Sequence, residues 1–154
     1  MSIGKLARVA VGVIAILGVI GLSAATAQPV AAATYDNVNP DGNACQNTAI
    51  VARHKDILDN QNKIAGYVEL RYSTACRTVW ARVHGPKGSQ GDSYGPRGYV
   101  HRNSDGKQLS VIHCDSTGTN CWSNMLNDAG VTSYAHGNVD ESSAGPFEAT
   151  TTSY

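Results

Sequence analysis

Aromatic side chains are scarce in this chain, with one Phe, two Trp and seven Tyr in 154 residues. A core this thin for its length needs help beyond apolar burial. Charge of one sign is also lacking: twelve Lys and Arg balance twelve Asp and Glu, with no basic run and no acidic tail. That pattern gives no footing for nucleic acid or an anionic membrane surface as partner. There is no Gly-x-Ser-x-Gly elbow, and the glycines around Lys87 lack the spacing of a phosphate loop. The cysteines and histidines lack the close pairs of a structural zinc site, so no metal or cofactor is expected.

What is present begins at the N-terminus. Lys5 and Arg8 precede the apolar run VAVGVIAILGVIGL, Val9 to Leu22, and a small-residue zone follows it. The run is too short for a spanning helix and suits a cleaved secretory signal within residues 1–33, with cleavage after Ala27 or Ala33. Removing it leaves twelve acidic against ten basic residues and one domain over residues 34–154.

The four cysteines are Cys45, Cys76, Cys114 and Cys121. An even number in an exported chain reads as two bridges, and spacing alone leaves three connectivities open. The turn-forming DSTGTN between Cys114 and Cys121 favours that pair, with Cys45 then joined to Cys76. Such closures contribute about 2.5 and 3.7 kcal/mol in the loop-entropy account, against a typical stability of about 5–15 kcal/mol.

Residues 34–47 are polar and turn-rich and are expected to form an ordered loop tied down by Cys45. Thr48 to Leu58 is ambiguous, because Ile50, Val51, Ile57 and Leu58 fall at helical spacing; the turn-like DNQNK after it favours a strand in a hairpin. In Ile64 to Tyr72 the alternation puts Val68, Leu70 and Tyr72 on one face and Tyr67, Glu69 and Arg71 on the other. In Thr78 to Val83 it separates Val79, Ala81 and Val83 from Thr78, Trp80 and Arg82. His84 to Arg97 is a long glycine- and proline-rich loop, expected to be mobile. A hairpin over Gly98 to Cys114 turns at NSDG, where Asp105-Gly106 suggests type I′. Cys121 to Leu126 is apolar enough to be buried, Asn127 to Gly130 turns the chain, and Val131 to Val139 and Phe147 to Tyr154 read as late strands. Short strands between turns predict an all-β fold, a small antiparallel sandwich or barrel.

The candidate ligand-binding cluster is Glu69, Arg71, Trp80 and Arg82 on one polar hairpin face. Guanidinium groups fork to carboxylate oxygens and an indole stacks on a ring, so the face could hold a carboxylate or a sugar; cross-strand ion pairs on a solvated face are the plainer account. Trp80 and Trp122 are the candidates for an exposed aromatic platform. Of the five histidines, His101 and His113 flank a hairpin and could approach each other, but packed or surface roles fit all five. Asn37, Asn39, Asp41 and Gly42 imitate the start of a calcium loop only in part, and an Asn/Asp turn explains them. Glu69, Asp92, Asp105, Asp128 and Asp140 offer carboxylates, and nothing singles out a catalytic pair.

The stretch VELRYS followed by Cys76 and WARV, with HRNSDG, MLNDAGVTSYA and the final TTSY, resembles an actinobacterial secreted family known as domain of unknown function 2690. The resemblance runs from Tyr35 to Tyr154. It implies secretion, a β-rich domain and a Cys45–Cys76 pair, and carries no catalytic residue. The resulting expectation is a monomeric extracellular binding or envelope-associated module for a glycan or cell-wall component. An extracellular hydrolase, or an inhibitor acting through the 84–97 loop, is the alternative.

Overall fold

The computed structural model describes residues 35–86, 95–140 and 146–154. The expected signal segment, Asp92 and the centre of the glycine-rich loop lie outside them. Nine strands are described: β1 Ala49–Leu58, β2 Ile64–Ser73, β3 Thr78–His84, β4 Arg97–Arg102, β5 Gln108–Cys114, β6 Asn120–Ser123, β7 Leu126–Asn127, β8 Ser133–Asp140 and β9 Pro146–Thr150. They form one antiparallel sheet in the order β1-β2-β3-β6-β5-β4-β8-β9, with β7 paired to β3. The sheet curls until β9 packs against β1, giving a nearly closed barrel. The expected all-β class and both expected disulfides are found, Cys45–Cys76 and Cys114–Cys121.

Alternation places the inner face as expected. Val68, Leu70, Val79, Ala81 and Val83 are fully buried and join Ile57, Val100, Leu126, Ala135 and Val139 in the barrel core. β1 is a strand without clean alternation because register shifts occur between Val51 and Arg53 and between Ile57 and Leu58. Each bulge turns the following side chains to the other face. Ile57 therefore points inward while Ile50, Val51 and Leu58 are about half exposed.

The β4–β5 turn departs from type I′, which needs positive φ at two central residues. Here Gly106 is left-handed (φ 71°) and Asp105 is not. The chain takes a longer loop instead, with Gly106 N–H donating to Arg102 O at 3.0 Å.

The final TTSY closes the barrel. Tyr154 exchanges backbone hydrogen bonds with Ser133 of β8, and Thr151 N–H donates to Ala135 O while its Oγ1 accepts from Ala135 N–H. Arg53 of β1 reaches over to donate to Ser153 O at 3.1 Å and lies over the Tyr154 ring. The two sheet edges are thus joined by side chains where the ladder stops, which protects otherwise open edges.

The barrel is narrow where β8 faces β2 and β3. Inward positions of β8 carry Ser133, Ala135, Gly137 and Val139, all buried. A Cβ on Gly137 would lie 2.7 Å from Val68 Cβ and 3.0 Å from Val83 Cγ2, both inside normal contact. Gly137→Val is expected to destabilise the fold by about 1–3 kcal/mol through overpacking, read as a lower urea midpoint. An unchanged midpoint would contradict this close approach.

Candidate functional site

The outer face of β2 and β3 is not left to solvent. Register puts Glu69 opposite Arg82 and Arg71 opposite Trp80. The row continues outward in both directions, with His54 beside Glu69 on β1 and Trp122 beside Arg82 on β6. Segment 35–48 then crosses this face and buries part of it. Its Cys45 packs with Trp80 and Met125 into a second hydrophobic cluster outside the barrel, flanked by Tyr35, Val38 and Trp122.

Three devices hold the segment down. Cys45 is bonded to Cys76 in the β2–β3 turn. Asn37 N–H donates to Met125 O and Met125 N–H to Val38 O, so the segment pairs with the chain beside β7. Asp36 accepts from the backbone N–H of Asn127, from Lys107 Nζ at 2.9 Å and from Arg102. Burial pushes the Asp36 carboxyl up, but these donors outweigh it and hold the group below its ordinary value.

A groove of about 270 Å³ lies between this segment and the β5–β6 turn. Its floor is Arg71, Trp80 and Arg82, with Trp122 beside them. One wall is Pro40, Asp41 and Gln46; the other is Asp115 and Asn120. Each wall is fastened by its own disulfide, since Asp115 and Asn120 sit just inside the Cys114–Cys121 loop.

The β5–β6 wall is stiffened by Asp115. Its Oδ1 accepts from Thr117 Oγ1 at 2.7 Å and from the N–H groups of Thr117 and Thr119, while Oδ2 accepts from Asn120 Nδ2 at 2.9 Å. The Thr117 hydroxyl and the Asn120 amide hold this carboxyl well below the usual carboxylate range. Asn120 Oδ1 is in turn 3.0 Å from His84 Nδ1. On the opposite wall Asn39 Oδ1 accepts from Trp122 Nε1 and from Asp41 N–H, both at 3.0 Å. The Asn/Asp turn read from the sequence is therefore present, and it orients the Trp122 indole.

The structure brings Arg71, Trp80 and Arg82 to the groove and puts Glu69 beneath it. Glu69 Oε2 lies 3.4 Å from Arg71 Nη1 and 3.0 Å from Arg82 Nε. The Arg82 contact lacks hydrogen-bond alignment, so it is an ion pair rather than a hydrogen bond. Glu69 is only 6% exposed, so the cluster is not a set of ion pairs on a solvated face. Trp80, at 4% exposed, is no platform in open solvent: segment 35–48 covers it. Trp122 is the more accessible indole.

His101 and His113 do not meet. His101 stacks on Tyr134 of β8, whereas His113, at the other end of β5, bonds to Asn124. The carboxylates are also dispersed, Asp105 to Arg102, Asp140 to Arg97 and Asp128 to the Ser133 hydroxyl. Burial raises Asp128 to about 6, but it lies under the β7–β8 turn and does not line the groove. Among the described residues no group of three or more His, Cys, Asp or Glu could hold a metal ion. The wall residues Gln46, Asp115 and Asn120 were not singled out from the sequence. Their signal was adjacency, since each is next to a bridged cysteine.

Comparison with known proteins adds a family. The model described as "Protein of unknown function (DUF2690)" matches residues 33–136, short of β9 and the terminal TTSY. The curated "Uncharacterized protein YjfA" of Bacillus subtilis (strain 168) is 30% identical over 113 residues, 67% of this chain and 69% of the relative. A Bacillus relative lends no support to a specifically actinobacterial origin. No solved structure matches.

The Asp36 contacts carry a pH dependence. Because the folded group titrates below its ordinary value, its contribution is complete above about pH 4 and is lost as pH falls through the lower folded value. Asp36→Asn should show red-shifted tryptophan emission and a lower Tm already at pH 7. The parent protein should acquire that emission only in acid. Identical spectra at pH 7 would remove Asp36 as a clasp.

Proposed function

The chain belongs to the DUF2690 family of proteins of unknown function, and from that premise we propose that it is a secreted, envelope-associated binding module whose ligand site is the groove over β2, β3 and β6. The observation that carries this reading is the joining of two tryptophans and two arginines in one concave site with disulfide-fastened walls. Concave sites with a few convergent polar groups take small ligands, and indole rings stack on sugar faces. Two disulfides suit an oxidising compartment, and among the described residues no helix is long and apolar enough to cross a membrane. With the apolar run and small-residue zone of residues 1–33, this supports export by a cleaved signal.

A binding role fits the electrostatics better than glycoside hydrolysis. A general acid needs a carboxyl with a raised pKa facing the substrate. Asp115 in the groove is held low, and the raised group, Asp128, is elsewhere. The inhibitor alternative depends on a loop whose centre lies outside the described residues.

Glycan-array and isolated cell-wall binding test the proposal, with protein recovered from the culture medium and beginning at Gln28 or Thr34. Trp122→Ala is the informative variant, because Trp80 is packed into the outer cluster. It should weaken glycan binding at least tenfold, about 1.4 kcal/mol, with the far-UV circular dichroism of the β barrel like that of the parent. Undiminished binding by Trp122→Ala, or retention of the chain in the cytoplasm, would overturn it.

A further inference from the structure

The hydrogen-bonding capacity left over in the groove is unequal. Two acceptors of its wall, and the Glu69 carboxylate beneath it, are already committed within the protein. Glu69 is held between Arg71 and Arg82, Asp115 accepts from its own turn, and Asn120 Oδ1 faces His84. The donors are less used. Arg71 has one long contact, Nη1 to Glu69 at 3.4 Å, and the Arg82 guanidinium makes no hydrogen bond among the described residues. One buried carboxylate thus sits between two guanidinium groups, and N–H donors remain on both arginines at the groove floor.

Such donors match a planar oxyanion, which a guanidinium grips through two parallel hydrogen bonds. Next to them Trp122, the more accessible indole, offers a ring face, and at the exposed rim Asp41 and Gln46 can receive hydroxyl or amide hydrogens. A volume of about 270 Å³ is near the low end of small-molecule sites and holds one substituted ring rather than a length of polymer.

Resting on the reading of the groove as a glycan site, we propose that it selects sugars bearing a carboxylate, with Arg71 and Arg82 receiving the carboxylate and Trp122 the ring. Its ligand class is a uronic acid or a lactyl-ether amino sugar at a chain end or branch. Neutral sugars of the same ring shape leave the arginine N–H groups without an ionic acceptor and bind more weakly.

The test is titration of the oxidised full chain, followed at the two indole N–H signals by NMR, with matched pairs. These are methyl β-glucuronide against methyl β-glucoside, and N-acetylmuramic acid against N-acetylglucosamine. The acidic member of each pair should bind at least tenfold more tightly, and sodium acetate, a carboxylate without a ring, at least tenfold more weakly than the acidic sugar. Arg82→Gln should bring the two members of a pair to within about twofold by weakening the acidic member. Arg82→Lys, which keeps the charge and loses the fork, should fall between. Equal binding of acidic and neutral sugars would overturn the selectivity and leave the glycan reading standing. Shifts with no sugar of either kind would overturn both. Displacement of the glucuronide by equimolar inorganic phosphate would mark a bare oxyanion site and overturn the sugar-acid assignment.

Discussion

The covering of Trp80 by segment 35–48 is the constraint on which the rest of the outer structure depends. A tryptophan on the outside of a barrel exposes a large apolar surface, and the chain solves this by folding its own N-terminal segment over it. That segment has few apolar side chains, so burial alone would not hold it. Cys45–Cys76 ties it to the β2–β3 turn, and Asp36 ties it to Asn127, Lys107 and Arg102. Closing a loop of this length is worth about 3–4 kcal/mol on entropic grounds, more than one exposed ion pair offers.

Once the segment is down, the site follows. Its edge becomes one wall of the groove, the Asp115 turn becomes the other, and the floor is whatever the outer faces of β2, β3 and β6 present between them. Burying Glu69 between two arginines keeps those long side chains in place, and its charge is paired rather than left alone. The molecule therefore has two hydrophobic clusters with different duties. The barrel core fixes the sheet, and the smaller outer cluster fixes the groove.

Much of this was legible in the sequence, for physical reasons. A period of two is a local property, so the inward set Val68, Leu70, Val79, Ala81 and Val83 and the outward set Glu69, Arg71, Trp80 and Arg82 could be read from neighbours alone. β1 resisted because its bulges break that period. The burial of Trp80 could not be read, since what covers it comes from more than thirty residues earlier in the chain. Nor could the groove between the walls: Gln46 is brought over β2 and β3 by the long Cys45–Cys76 closure, and only then does it face Asp115 and Asn120 in the local Cys114–Cys121 loop. The type I′ expectation failed for a nearer cause, a loop long enough to need a left-handed residue at Gly106 alone.

The measurement that bears most directly on this account is amide hydrogen exchange combined with acrylamide quenching on the Cys45→Ser/Cys76→Ser protein. If the cover is a separate unit fastened to a self-sufficient barrel, amides of β4, β8 and β9 stay protected while Trp80 becomes accessible to quencher. Loss of protection in the barrel and the cover together, or a Trp80 that stays shielded without the disulfide, would contradict it.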